Sequence, residues 1–189
     1  MGRLLFMKPI GVSTSLISFD TVIAKADLSD GQLVADLGCG NSLFFLYALS
    51  TIVGKNGKVL GIDILPNIIQ TIEREIEHHA VSGVNVSLGN LDKHYGVSIA
   101  DKSLDRAFLI NTLHQSGDSI TMLTESARML KPKALLIIVD WNHKPSPLGP
   151  HGDRRISLDS VKESAEVAGL KHIESFKAGD YHYGAIFEK

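Results

Sequence analysis

The sequence places two glycines and a carboxylate between an apolar run and a predicted helix. Residues 34–42 read Val-Ala-Asp-Leu-Gly-Cys-Gly-Asn-Ser and include Asp36, Gly38 and Gly40. Glycine lets the backbone turn sharply and approach a ligand closely, and the first turn of a helix carries N–H groups without partners. The segment therefore predicts a ligand-binding turn, although an ordinary tight loop of an α/β fold has the same appearance.

Asp63 ends the next predicted strand, about 20 residues beyond the glycine turn, where nucleotide-binding proteins carry a ribose-binding carboxylate. Such a carboxylate accepts hydrogen bonds from both ribose hydroxyls. The alternative is that Asp63 caps the helix that begins near Pro66. Because the glycine turn precedes it, we favour ribose binding and predict a ligand that contains a nucleoside.

The dinucleotide fingerprint is incomplete in this chain. The last glycine of Gly-x-Gly-x-x-Gly, which permits close packing around a pyrophosphate, is replaced by Leu43. None of the four tyrosines is followed by a lysine four positions later, so the short-chain dehydrogenase pattern is missing. An NAD(P)-dependent oxidoreductase is therefore a less favoured alternative.

The elements that position these residues alternate between strand and helix. The periodicity predicts strands at 32–36, 58–63, 84–88, 104–110 and 134–140, helices between them, a last helix over 157–169, and a terminal hairpin formed by 170–177 and 181–189. This order is typical of a parallel sheet covered by helices on both faces. Because only a short turn joins the last two strands, the final strand should run antiparallel.

The motifs together resemble those of class I S-adenosylmethionine-dependent methyltransferases, and within them the ubiquinone/menaquinone methyltransferase-like group (methyltransferase type 11/25-like). The resemblance covers about residues 30–145. It is carried by residues 34–42, 61–66, 87–91, 104–114, 128–132 and 139–141. It implies a Rossmann-like three-layer α/β sandwich with a mostly parallel seven-stranded sheet and an antiparallel last strand. It also implies S-adenosylmethionine as the cofactor.

On the methionine side of the cofactor, the resemblance assigns five residues. The backbone of Gly38, Cys39 and Gly40 would pass under the methionine moiety, and Asp36 would orient its ammonium group. Asn111 would lie near the same moiety through its backbone carbonyl.

On the adenosine side, the resemblance assigns Asp63 to the ribose and Ile64 to one face of the adenine. Asn90 and Leu91 would border the other face. The chain has Asn90 where relatives usually carry an acidic residue, and Ser42 where they carry a third glycine. We expect the amide oxygen of Asn90 to accept from the adenine amino group, and Ser42 to serve as a helix cap.

A candidate general base lies just after the fourth predicted strand. His114 has that position, and a base is needed only if the methyl acceptor must lose a proton. The alternative for His114 is a positioning or capping role. His143 and His151 follow the fifth strand, where they are candidates to line an acceptor site.

Composition excludes several other kinds of site. Cys39 is the only cysteine, so the chain forms no internal disulfide or thiolate cluster, and arsenic-type methyltransferases use several cysteines. The histidines lack metal-ligand spacing, and we predict no metal. Two features argue against a nucleic-acid substrate. The net charge is −2, which gives no basic surplus for binding a phosphate backbone. Residues 111–114 read Asn-Thr-Leu-His, where DNA base methyltransferases carry an Asn/Asp-Pro-Pro-aromatic motif. Arg154 and Arg155 are interpreted as solvated loop residues.

The length of 189 residues predicts a single domain, with a lead-in segment and helix over about 1–27 and the sheet and helices over 30–189. The start lacks the apolar core of a secretory signal, and no apolar run is long enough to span a membrane, so we expect a cytoplasmic protein. The sequence predicts methyl transfer to an unidentified small molecule, with a homodimer as one possible assembly. A non-catalytic S-adenosylmethionine-binding protein is the main alternative.

Overall fold

The computed structural model describes residues 16–189 of the protein. The strands are β1 (Leu33–Leu37), β2 (Lys58–Asp63), β3 (Val84–Leu88), β4 (Leu104–Ile110), β5 (Leu130–Trp141), β6 (Lys171–Lys177) and β7 (His182–Glu188). The helices are α1 (Phe19–Lys25), α2 (Leu43–Val53), α3 (Pro66–His78), α4 (Ser119–Met129) and α5 (Leu158–Val167). Short 3-10 turns at Leu113–Gln115 and Gly152–Arg154 follow β4 and β5.

All seven strands form one sheet in the order β3-β2-β1-β4-β5-β7-β6. β7 is antiparallel to both of its neighbours, and the pairs formed among β1 to β5 are parallel. The predicted mostly parallel sheet with an antiparallel last strand is therefore confirmed. The chain runs outward from β1 to β3 and then returns to place β4 on the other side of β1. This reversal opens a crevice at the carboxyl end of β1, where ligands bind in open α/β sheets.

The helices cover both faces of the sheet, and alternate strand residues supply each core. On one face, Val34 and Phe108 pack with buried residues of α1, α2 and α3. On the other face, Ala35 and Leu109 pack with α4 and α5. The period of two along a strand thus sends neighbouring residues into separate apolar layers, and the predicted three-layer sandwich is confirmed.

The start of β5 is the largest departure from the predicted elements. The apolar run predicted a strand from residue 134, but β5 begins at Leu130, directly after α4 ends at Met129. The first part of the strand is irregular: Lys133 has a φ of 67°, and the pairing with β4 shifts between Leu104 and Arg106. Pairing with β4 thus extends the strand to include Pro132, although in the sequence this proline indicates only where the preceding helix ends.

The helix caps agree with the sequence at one helix and differ at another. Ser157 caps α5 by accepting a hydrogen bond from the Ser160 N–H at 3.0 Å. Ser42 stands at the cap position of α2 but makes no side-chain capping bond, so the predicted capping role of Ser42 is wrong.

Within residues 16–189, no helix has both the length and the apolar character needed to cross a bilayer. The predicted lead-in segment falls largely in residues 1–15, outside the described part of the chain.

Candidate functional site

The glycine turn is held against the end of β2. The N–H groups of Gly38 and Cys39 donate to the Ile62 carbonyl at 2.7 and 2.9 Å. Gly38 has a φ of 85°, and a Cβ added there would overlap the side chain of Thr112. The Thr112 hydroxyl donates to the Leu37 carbonyl at 3.2 Å. Only glycine fits between this threonine and β2, because the position combines a positive φ with a close neighbour.

We expect substitutions at the two glycines of the turn to differ in cost. Gly40 also has a positive φ, of 50°, but a Cβ there would meet nothing within 4 Å. Gly40→Ala should cost about 1 kcal/mol of unfolding free energy through backbone strain alone. Gly38→Ala adds the overlap with Thr112 and should cost about 3 kcal/mol. Urea denaturation of both variants measures the difference, and equal costs would contradict the packing of Thr112 described above.

Asp63 links the turn to the loop before α3. One carboxylate oxygen accepts from the Gly40 N–H at 2.9 Å, and the other accepts from the Leu65 N–H at 3.0 Å. Leu65 precedes the helix, so the carboxylate fixes the loop instead of pairing with an N–H inside α3. A carboxylate has about four acceptor positions, and two backbone bonds leave room for two hydroxyl donors.

Two cavities meet at the glycine turn and form the crevice. The β2-side cavity has a volume of about 330 Å³, and its lining includes Gly38, Gly40, Asp63, Ile64, Asn90, Leu91 and Asp92. The β4-side cavity has a volume of about 230 Å³, and its lining includes Asp36, Gly38, Cys39, Gly40 and Asn111. The fold therefore gathers every residue that was predicted to bind the cofactor around one crevice.

Two buried oxygens on the β4-side cavity lack partners. Oδ1 of Asp36 and Oδ1 of Asn111 are both buried and accept no hydrogen bond from the described residues. Burial, and secondarily the negative charge of Asp63, raise the pKa of Asp36 to about 7. An unsatisfied buried acceptor costs free energy, so both oxygens favour a ligand that carries a cation or several N–H donors.

Cys39 contributes its backbone to the crevice and not a reactive thiol. Its side chain is buried at the bottom of the turn, and that burial, with the charges of Asp36 and Asp63, raises the thiol pKa far above its ordinary range. A thiol held in this way stays protonated at physiological pH and is a poor nucleophile.

Asn90 has a local role that its sequence position did not predict. Its amide oxygen accepts from the Asp92 N–H at 2.9 Å and shapes the turn after β3. Asp92 itself brings a carboxylate to the β2-side cavity, where it accepts a hydrogen bond from Ser116. An acidic group is thus present on this side of the crevice, two residues later than the resemblance suggested.

Gln115 is a lining residue that sequence reasoning missed. It borders both cavities of the crevice, and its amide nitrogen donates to the Asn111 carbonyl at 2.8 Å. It lies at the end of the 3-10 turn that follows β4, and no sequence motif marks it. The Asn111 carbonyl, which was predicted to approach the cofactor, thus already accepts one hydrogen bond within the protein.

A third cavity, the β5-side cavity, adjoins the crevice through Asn111 and Gln115. Its volume is about 440 Å³, and it is lined by Asn111, His114, Gln115, Trp141, Gly149, Pro150 and Arg154. His114 lies with its side chain 10% exposed, and its Nδ1 is 2.9 Å from Asp140. His143 and His151, which were candidates for this site, are not among the lining residues.

The adjacent arginines of the loop after β5 have different environments. Arg155 is buried, lies over the Trp141 ring at 5.4 Å, and donates to the carbonyls of Asn142, Lys144, Leu148 and Pro150. The prediction that both arginines are solvated loop residues is wrong for Arg155, which organises the loop. Arg154 remains exposed at the rim of the β5-side cavity.

No group of three or more metal-binding side chains occurs among residues 16–189.

The comparisons with known proteins agree with this geometry. A solved S-adenosylmethionine-dependent methyltransferase from Aquifex aeolicus superposes with a TM-score of 0.84 and 27% identity, over 92% of this chain and 90% of the other. The fold is therefore that of a Rossmann-like methyltransferase. A model of the methyltransferase domain matches residues 28–182, and the chain belongs to that family.

Curated relatives carry several names. A demethylmenaquinone methyltransferase of Lactococcus lactis subsp. lactis (strain IL1403) is 27% identical over 68% of this chain and 49% of its own length. An arsenite methyltransferase of Aquipseudomonas alcaligenes is 30% identical over 75% of this chain and 39% of its own length. The chain thus spans half or less of the length of these relatives.

Proposed function

We propose that this protein binds S-adenosylmethionine in the crevice at the end of β1 and transfers its methyl group to a small molecule. The observation that carries the proposal is the pair of buried oxygens, Asp36 Oδ1 and Asn111 Oδ1, which have no partner among the described residues. They lie on one side of the glycine turn, and the Asp63 carboxylate lies on the other.

The donors of the ligand match the acceptors of the crevice. The α-ammonium group would pair with Asp36 and Asn111, which relieves the cost of two unsatisfied buried oxygens. The ribose hydroxyls would donate to Asp63. Ile64, which is 55% exposed here, would cover one face of the adenine, and Leu91 would border the other.

When bound, the cofactor supplies an electrophilic methyl group, and the chain supplies position. Gly38 and Gly40 let the backbone pass close beneath the ligand, and Gln115 borders the crevice next to the β5-side cavity. An acceptor in that cavity would therefore lie beside the methionine end of the cofactor. Holding two reactants in this relation is the main source of rate in such a transfer.

The acceptor is proposed to be a small molecule because the β5-side cavity, at about 440 Å³, has the volume of an ordinary small-molecule pocket and the chain has no basic surplus. We do not extend the arsenite named for one relative to this chain, since its only cysteine is buried and unreactive. We further propose that the protein acts in the cytoplasm and assembles as a homodimer.

Calorimetry with S-adenosylmethionine and, separately, with NAD tests the cofactor. We expect binding of the first in the micromolar range and no detectable heat with the second. Formation of S-adenosylhomocysteine in the presence of a panel of small hydroxy, amino and thiol compounds then tests catalysis. Binding without turnover on any compound would favour the non-catalytic alternative, and binding of NAD alone would refute the assignment.

A further inference from the structure

The His114 ring is fixed by a buried carboxylate on the neighbouring strand. Asp140 is fully buried at the end of β5, and it accepts from His114 Nδ1 at 2.9 Å and from the His114 N–H at 3.1 Å. It also accepts from the Trp141 N–H at 2.8 Å. The side chain and the backbone of His114 are thus bound to one carboxylate.

This arrangement selects one tautomer of the ring. A carboxylate only accepts, so Nδ1 carries a proton, and in the neutral ring Nε2 then holds the lone pair. The described residues provide no hydrogen-bond partner for Nε2, and the residue lines the β5-side cavity. A free lone pair on a ring that is oriented by a buried carboxylate is the arrangement of a general base.

The same cavity is also lined by a cation, Arg154, whose side chain has no charged partner among residues 16–189. All the described bonds of Arg155 go to loop carbonyls, whereas the Arg154 guanidinium makes no ion pair or hydrogen bond with the described residues. Arginine favours carboxylate partners, with which it forms paired hydrogen bonds. The cavity therefore presents a base near the crevice and a positive charge at its outer rim.

We propose that the methyl acceptor is a small hydroxy acid, that His114 Nε2 takes the proton of its hydroxyl, and that Asp140 positions His114 for this step. The inference rests on the proposed function, since it concerns the acceptor side of that site. The hydroxyl O–H bond breaks, its electron pair stays on the acceptor oxygen, and the proton forms an N–H bond at Nε2. The resulting imidazolium is stabilised by the Asp140 carboxylate, and its proton later passes to water. Arg154 binds the acid group of the acceptor.

Nitrogen-15 NMR of the histidine side chains tests the inference without turnover. The His114 resonances are assigned by their loss in His114→Gln, and His143→Gln is the matched control in the exposed loop. In the neutral form of the ring, the wild-type protein should carry the proton on Nδ1 and leave Nε2 unprotonated. Asp140→Asn should reverse or mix the tautomers, because the amide can present a donor to the ring.

Three matched probes then test the acceptor class. We expect 4-hydroxyphenylacetate to shift the His114 Nε2 resonance, and phenylacetate, which lacks the hydroxyl, to bind without that shift. The uncharged 4-hydroxyphenylethanol should bind about threefold to tenfold more weakly than 4-hydroxyphenylacetate. Arg154→Gln should remove this difference, whereas Lys144→Gln, in the same loop, should keep it.

The outcomes separate this inference from the proposed function. An unprotonated Nδ1 in the wild type, or an Nε2 that responds to no hydroxy probe at millimolar concentration, would overturn the inference. S-adenosylmethionine affinity measured in His114→Gln should equal that of the wild type. A wild-type protein that fails to bind the cofactor overturns the proposed function, even when the tautomer is as expected. If Asp140→Asn does not fold, the wild-type spectrum, assigned by comparison with His114→Gln, still shows which ring nitrogen of His114 carries the proton.

Discussion

Replacing Asp63 with alanine should weaken S-adenosylmethionine binding by about 100-fold. Each hydrogen bond from a ribose hydroxyl to a carboxylate contributes about 1.5 kcal/mol, and the loss of two of them, about 3 kcal/mol together, corresponds to roughly 100-fold in affinity. It also frees the N–H groups of Gly40 and Leu65, which the carboxylate holds in place. Isothermal titration calorimetry at constant pH and ionic strength measures the change.

Two further variants divide this loss into its parts. Asp63→Asn has a side chain of nearly the same shape and keeps one acceptor oxygen, so we expect about a tenfold loss of affinity for S-adenosylmethionine. Asp159→Ala removes an exposed carboxylate at the start of α5, away from the crevice, and should leave affinity unchanged. Wild-type affinity in Asp63→Ala would mean that the nucleoside does not lie in the β2-side cavity.

Replacing Asp36 with asparagine should have opposite effects on cofactor binding and on the stability of the ligand-free protein. We expect affinity for S-adenosylmethionine at pH 8 to fall about 10-fold to 30-fold, because the ammonium group loses a charged partner. We expect the ligand-free protein to become more stable by about 2 kcal/mol at the same pH, which raises Tm by about 4–8 °C. Calorimetric titration and thermal unfolding of both proteins measure the two effects.

The direction of the stability change follows from the raised pKa of Asp36. Its folded pKa of about 7 lies above the ordinary value of 3.8, so the folded protein binds more protons than the unfolded chain between these values. Wild-type stability should therefore fall as pH rises through this window, and the full cost is present above about pH 7. Asp36→Asn lacks this titrating group, so its gain in unfolding free energy over the wild type should be small near pH 4 and largest near pH 8.

Cofactor affinity should show the reverse dependence on pH. The ammonium group pairs with the ionised carboxylate, so binding below about pH 7 must first remove a proton from Asp36. Wild-type affinity should rise about 30-fold between pH 5.5 and pH 8, as the ionised fraction of Asp36 increases, and Asp36→Asn should remove most of this rise. A pH profile that is the same in both proteins would show that Asp36 does not contact the charged end of the ligand.

Most strand positions could be predicted from the sequence because local signals determine them. β2, β3 and β4 begin and end where the apolar patterns and turn residues indicate. β5 was predicted too short, because its first residues are held by pairing with β4 and the local sequence contains a proline. Local patterns carry no information on such pairing, which depends on a strand distant in the chain.

The site shows the same division between local and distant determinants. The glycine turn and Asp63 could be predicted, since a turn and a strand end are local and their spacing is readable. Asp140 was missed, although its partner His114 was a candidate, because the two lie 26 positions apart and meet only across β4 and β5. Arg155 was misinterpreted for a similar reason, since its burial depends on the loop that folds over Trp141.

The sequence by itself determined the class of fold and the position, at the end of β1, of the residues that we propose bind a nucleoside. These follow from periodicity, from the conformational freedom of glycine and from strand-end position, all of which are properties of short segments. Only the tertiary structure decided which buried polar groups lack a partner among residues 16–189, such as the buried oxygens of Asp36 and Asn111, and which ring nitrogen of His114 faces a carboxylate. Solvation and hydrogen bonding depend on every neighbour in space, and those neighbours come from distant parts of the chain.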